Sequence, residues 1–191
     1  MLLLKTKRML LRNFKKSDAP AVYMYAKNPK VGPRAGWPIH TSVEDSEMII
    51  QNYFMSPHIF AITLSAYPSH VIGLIGLELV DEGNAKDFMK SGEAEISYWI
   101  GEPYWGNGLV PEAIQSIVSY GFNNLKLDTI WCGYNDGNRQ SKIAQEKQGF
   151  KYRLTNPKMY NPYLNEVFIE HFTALTKEEW EHSLIKTPIQ K

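Results

Sequence analysis

The segment that most constrains this chain is Tyr98 to Ala113, YWIGEPYWGNGLVPEA. It reads as a strand, a turn with glycines at Gly106 and Gly108, and the start of a helix. The first N–H groups of a helix have no partner within it, and the helix dipole favours negative charge at that end. Glycine-rich backbone feeding a helix start therefore makes a cradle for phosphate. A dinucleotide fingerprint would need a glycine or alanine where Pro111 stands, although Asp128 falls at the distance of its ribose carboxylate. That fingerprint also opens a series of βαβ units, whereas here two helices and four strands precede the turn. A Walker loop is excluded, because no glycine-lysine-Ser/Thr triplet occurs.

The 191 residues suit one domain, 1–191, able to bury a core without disulfides or metal. A net charge of +1 supplies no global field for nucleic acid or an anionic membrane, so neither is expected as a partner. One cysteine, Cys132, permits no internal disulfide and reads as a buried apolar thiol. The opening MLLLKTKRMLLRNF is broken by Lys5, Lys7, Arg8 and Arg12, which read as solvated charges along a strand edge rather than part of a signal peptide. No run approaches the roughly 20 apolar residues of a membrane span, and the expected location is cytoplasmic. The five histidines show no ligand spacing, so no metal is expected.

The pattern predicts a strand over 3–13, a helix over 18–27 opened by Ser17-Asp18, and a loop over 28–41 set by three prolines and two glycines. Ser42 caps a second helix whose apolar face takes in Val43, Met48, Ile49, Ile50, Tyr53 and Phe54. Strands follow over 59–64 and 71–80, joined at Tyr67-Pro68-Ser69, then a polar connection over 81–92. Over 93–100, Ala94, Ile96, Tyr98 and Ile100 alternate with Glu93, Glu95, Ser97 and Trp99, an apolar face against a mixed one. Ile114, Ile117, Val118, Gly121 and Phe122 line the helix after the glycine turn. A strand over 129–134, a helix from Asn138 to a Gly149 stop, and a strand over 150–154 come next. Residues 155–165 read as a loop, 167–175 as a strand, and Thr176 to Glu179 as the capping box of a last helix. The expected class is α/β, more narrowly α+β: a mixed, mostly antiparallel sheet of about seven strands flanked by helices.

Ser97-Tyr98-Trp99-Ile100, Tyr104-Trp105-Gly106-Asn107-Gly108 and Glu112-Ala113 are followed, one strand later, by Asn138…Ser141…Glu146-Lys147…Gly149-Phe150. Together with His171…Leu175-Thr176-Lys177-Glu178-Glu179-Trp180, this order resembles the GNAT superfamily of acyl-coenzyme A-dependent N-acyltransferases, and its ribosomal-protein N-terminal alanine acetyltransferase branch in particular. Three positions depart from the branch's pattern, Ser97 for a glycine and Val110-Pro111 for alanine–threonine, while Trp105 suits the branch but replaces the glutamine or arginine of the wider superfamily.

The resemblance implies a GNAT-like fold that moves acetyl from acetyl-coenzyme A to a primary amine, by direct attack in a ternary complex. A non-catalytic acyl-coenzyme A sensor or interaction module on the same fold is the alternative. It also implies that the strand at Trp99, Ile100 and Gly101 splays from Ile130-Trp131-Cys132 to admit the pantetheine arm. Trp105, Gly106, Asn107, Gly108, Leu109 and Val110 would wrap the pyrophosphate, with Asn138 as helix cap and cofactor neighbour. Ser141 would stand by the departing thiolate, or else bond its own helix's first turn. Glu95 is the expected base, with Glu166 as a weaker choice. Arg34, Trp37, Tyr160 and Tyr163 are expected to line the acceptor site. Protein N-termini and small-molecule amines, and a monomer or a homodimer, remain open.

Overall fold

The computed structural model describes residues 2–82 and 86–186; side chains of 82 and 184–186 fall outside that description, as do residues 83–85 of the expected polar connection. The strands are β1 (Leu3–Lys5), β2 (Met9–Arg12), β3 (Ile59–Leu64), β4 (Tyr67–Leu79), β5 (Glu93–Ile100), β6 (Thr129–Asn135), β7 (Lys151–Asn161) and β8 (Glu166–Thr176). The helices are α1 (Ala19–Ala26), α2 (Val43–Ile49), α3 (Leu109–Asn123), α4 (Arg139–Glu146) and α5 (Lys177–Lys186). The strands form one sheet in the order β1-β2-β3-β4-β5-β6-β8-β7. Every neighbouring pair is antiparallel except β5 with β6. This is the mixed, mostly antiparallel sheet expected, with one strand more.

The additional strand arises because 3–13 is a hairpin. Thr6 closes its turn, accepting the Met9 N–H on its hydroxyl at 2.9 Å and donating its own N–H to Met9 at 3.0 Å. The next hairpin turns at Ser65-Ala66, and Tyr67 to Ser69 already belong to β4. The expected loop over 155–165 is mostly strand. β7 runs on to Asn161 against β8, and two register shifts, between Tyr152/Leu154 and Asn156/Met159, accommodate Arg153 and Pro157.

Helix ends follow local chemistry. Ser42 caps α2 by accepting the Asp45 N–H at 3.0 Å. Past Ile49 the helix widens into a π turn over Ile50–Phe54, which shifts the periodicity. Met48 and Tyr53, expected on the apolar face, are 57% and 60% exposed, whereas Ile50 is fully buried. Thr176 and Glu179 form the expected capping box: the Glu179 N–H donates to the Thr176 hydroxyl, and the Thr176 N–H to the Glu179 carboxylate, both at 3.1 Å. Asp18 precedes α1 as expected but makes no cap bond to it. Its carboxylate receives both terminal nitrogens of Arg12 at 2.8 Å and the Lys15 N–H at 2.8 Å.

The sheet is covered on both faces. One core gathers Met9, Leu11, Phe60, Ile75, Ile96, Ile114, Ile117 and Phe122, and the other Phe14, Val22, Tyr25, Ile50, Leu74 and Trp99. β5 supplies both, Ile96 and Ile100 to the first and Trp99 to the second. That double burial fixes its course where it parts from β6.

Candidate functional site

The parallel ladder between β5 and β6 has only three pairs: Glu93↔Thr129, Ala94↔Ile130 and Glu95↔Trp131. Beyond Glu95, β5 stays with β4 while Cys132 to Asn135 stay with β8. The splay therefore opens after Trp131, so Ile130 and Trp131 are still paired and Cys132 is the first residue past the apex. A cavity of about 730 Å³ occupies the wedge. Along β5 it runs from Glu95 at the apex, past Tyr98, to the glycine turn.

At the open end, Gly106 and Gly108 take φ of 75° and 70°. Space does not demand glycine at 106, where a Cβ would meet nothing within 4 Å; the left-handed backbone does. No side chain caps the start of α3, so the turn presents the helix's first N–H groups. Arg8 braces the turn, donating to the carbonyls of Asn107 at 2.9 Å and Gly108 at 3.1 Å and to the Glu112 carboxylate at 2.7 Å. Glu112 also receives the Thr6 hydroxyl at 2.7 Å and the Arg8 N–H at 2.8 Å. Partial burial alone would raise the Glu112 carboxyl, but these donors hold it below the ordinary carboxylate range. Arg12 is thus buried in an ion pair rather than a solvated strand-edge charge, whereas Arg8 is exposed as expected and hydrogen-bonded to the turn it braces.

Midway along the wedge, Ser141 Oγ lies 2.7 Å from the Tyr98 hydroxyl and 3.0 Å from Gln145 Nε2. Its hydroxyl meets side chains, Gln145 of its own helix and Tyr98 of β5, rather than the backbone of the helix's first turn. That backbone is served by Asn138, whose side chain caps α4 by accepting the Ser141 N–H at 3.3 Å. Burial keeps the Tyr98 phenol well above its ordinary pKa, so it is a neutral hydroxyl throughout the working range.

The apex is acidic. Glu78 and Glu95 are register partners across β4 and β5, and Glu170 of β8 faces them across the wedge. Lys86 pairs with Glu95. Burial, then the charge of Glu95, raises Glu78. Burial pushes Glu170 up to about 7, with Lys86 pulling it down and Glu95 adding to the rise. Glu170 fits here because β6 has glycine at 133: a Cβ there would stand 2.4 Å from Glu170 Oε1.

Most residues singled out from the sequence meet on this wall. Glu95, Trp99, Ile100, Trp105, Gly106, Gly108, Leu109, Val110, Asn138, Ser141, Arg34, Tyr160 and Tyr163 all line the cavity. Three do not. Gly101 donates its N–H to Ile72 at 2.8 Å and packs on the Tyr25 ring. Asn107 is exposed, its side chain donating to the Trp105 carbonyl at 3.2 Å. Trp37 lies edge-on to Trp99 at 5.6 Å and beside His40 at 5.1 Å, pinning its loop to the second core. Arg34 sits over the Trp105 ring at 5.6 Å, toward the glycine turn. Glu166, the weaker choice of base, is exposed near the hairpin turn.

Sequence reasoning missed Glu170, Gln145 and Lys86. Glu170 carried a signal: Phe168, Glu170, Phe172 and Ala174 share one face of β8, so a carboxylate stood among apolar residues. Lys86 sits in a connection with no periodicity to read. Among the described residues no cluster of metal-ligating side chains occurs, and no helix is long and apolar enough to cross a membrane.

Comparison with known proteins agrees with this geometry. Residues 8–151 match the acetyltransferase (GNAT) domain family. The uncharacterized N-acetyltransferase p20 of Bacillus licheniformis is 30% identical over 132 residues, covering 66% of this chain and 70% of p20. A Bacillus subtilis (strain 168) protein provisionally named ribosomal N-acetyltransferase YdaF is 30% identical over 117 residues, 60% of this chain and 58% of its own length. A GNAT-family acetyltransferase structure from Bacillus anthracis aligns with a TM-score of 0.78 at 23% identity, over 93% of this chain and 99% of its own. The microcin C7 self-immunity acetyltransferase MccE, solved with acetyl-CoA and AMP, aligns with a TM-score of 0.70 at 17% identity, over 89% and 93% of the two chains. At these identities the two structures share the fold.

Proposed function

The chain belongs to the GNAT acetyltransferase family and is an acetyltransferase, and from that premise we propose that it moves acetyl from acetyl-CoA onto a primary amine by direct attack in a ternary complex. In this reading residues 1–191 act as one acyltransferase domain. The observation that carries it is the graded wedge: an uncapped helix start at the open end, a hydroxyl midway and carboxylates at the apex. A solved neighbour of the same fold holds acetyl-CoA, which supports the same donor here.

The residues present fit that donor. The β6-facing edge of β5 past Glu95 has no ladder partner and can accept an extended pantetheine arm as a further strand would lie. The left-handed glycines and the start of α3 suit the pyrophosphate, and Arg34, over the Trp105 ring, adds a cation to the cavity wall between that turn and the acceptor's approach. When bound, the donor supplies a thioester, whose carbonyl carbon is open to an amine. Glu170 takes the proton the amine must lose, since a carboxyl near 7 is matched to that task. Glu95, tied to Lys86, orients the apex. Ser141 donates a hydrogen bond to the sulfur as the C–S electron pair settles there. Tyr160 and Tyr163, on the β7–β8 hairpin, border the acceptor's approach.

An α-amino group, with a pKa of about 8, is partly neutral near pH 7, whereas a lysine amine near 10.4 is not. N-terminal peptides are therefore the first acceptors to offer, followed by polyamines, aminoglycosides and amino acids. Thiol release from acetyl-CoA should appear with at least one class. Absence of acetyl-CoA binding at millimolar concentration overturns the proposal, and binding with no release across the panel favours a sensor.

A further inference from the structure

A serine hydroxyl carries one hydrogen and two acceptor lone pairs. At Ser141 the Gln145 amide and the Tyr98 hydroxyl are the neighbours that decide where that hydrogen goes. The Gln145 side chain is fully buried, and its amide orientation follows from its partners. Nε2 lies 3.2 Å from the Gly133 carbonyl, which can only accept, and Oε1 lies 2.7 Å from the Thr173 hydroxyl. A flipped amide would set oxygen against oxygen at Gly133. The second N–H of Nε2 is therefore directed at Ser141 Oγ, 3.0 Å away, and grazes the Tyr98 oxygen at 3.4 Å. The Tyr98 and Ser141 hydroxyls lie 2.7 Å apart, and either can donate to the other; where Tyr98 donates, both Ser141 lone pairs are filled. The Ser141 hydrogen then has no acceptor among the described residues and is left to the cavity that Ser141 lines.

We propose that Gln145, locked by Gly133 and Thr173 and aided by Tyr98, is a positioning residue that holds the Ser141 hydroxyl as a donor toward the leaving sulfur. The proposal rests on the reading of Ser141 given above. Gln145 is fully buried and does not line the cavity, so its effect passes through the Ser141–Tyr98 pair.

A double-mutant cycle on the full chain tests this, reading kcat and the KM for acetyl-CoA. Ser141→Ala should lower kcat by about 10²-fold, the cost of one preorganised donor, with KM changed less than about threefold. Gln145→Leu should lower kcat by about 10-fold with the same unchanged KM, and the double variant should be no slower than Ser141→Ala alone. Thr173→Val keeps the glutamine but removes the partner of its Oε1, and should reproduce a smaller fall in kcat; it carries the cycle if Gln145→Leu does not fold. Multiplicative effects in the double variant, or a Gln145→Leu or Thr173→Val enzyme with parental kcat, overturn the positioning role while leaving Ser141 as donor. A Ser141→Ala enzyme with parental kcat overturns the donor reading and the inference together.

Discussion

Glu170 and Gly133 act as a pair: the carboxylate lies where a side chain at 133 would be, and only glycine leaves that place open. An ordinary glutamate gives up its proton near 4.3, whereas burial holds the proton on Glu170 to about 7. As pH rises through that window the unfolded chain ionises first, so the native state loses stability there. Glu170→Gln should therefore melt increasingly above the parent between about pH 4.5 and pH 7, and match it below. The same substitution should lower kcat by about 10²–10⁴-fold and remove the limb of the pH–rate profile near 7. A variant that keeps that limb would leave the base elsewhere. Residue-scale chemistry was partly legible in the sequence. Ser141 and Glu95 stood in recognisable patterns, but a pKa set by burial between two strands has no signature in linear order. Arg12 shows the same limit, because its partner Asp18 is recognisable only once β2 and the turn before α1 converge.

The glycine turn is braced by an element remote in sequence. The β1–β2 turn delivers Arg8 beneath the Asn107 and Gly108 carbonyls, and Thr6 and Arg8 together hold Glu112 in the first turn of α3. Arg8→Ala should free the turn and raise the KM for acetyl-CoA by about 10-fold, a loss near 1.4 kcal/mol of ground-state binding, with kcat little changed. Steady-state titration of acetyl-CoA checks this, and a parental KM would confine Arg8 to a structural role. Elements defined by local signals were legible: Ser42, Thr176 and the Gly149 stop each bound their helix as expected. Elements defined by their partner were not. β7 extends to Asn161 through residues rich in Asn, Pro and Tyr because β8 is there to pair with it, and α2 loses its period at a π turn that no pattern announces.

For the whole molecule, the order of elements and the mixed sheet were legible because the parallel β5–α3–β6 unit sits within antiparallel neighbours. The depth of the splay was not, since it depends on where three ladder pairs end. A ligand lying in that wedge touches both halves of the sheet and should stabilise the molecule as a unit. At 100 times its Kd, coenzyme A should add about 2.7 kcal/mol, or about 5–11 °C in Tm for a chain of this size, while NAD should add nothing. An unchanged Tm with saturating coenzyme A would remove the wedge as its site. The wedge also alters the count of sheet margins. Besides the outer strands β1 and β7, the sheet has two interior margins, β5 past Glu95 and β6 past Trp131. Unpaired strand margins invite the backbone of other chains, which is how sheet proteins aggregate. Here the invitation is narrow: Gln145 reaches across to the Gly133 carbonyl, and Glu95, Glu170 and Lys86 put charge where a foreign strand would have to lie. The groups proposed to serve an amine and a thioester in the wedge thus also make it a poor template for self-association.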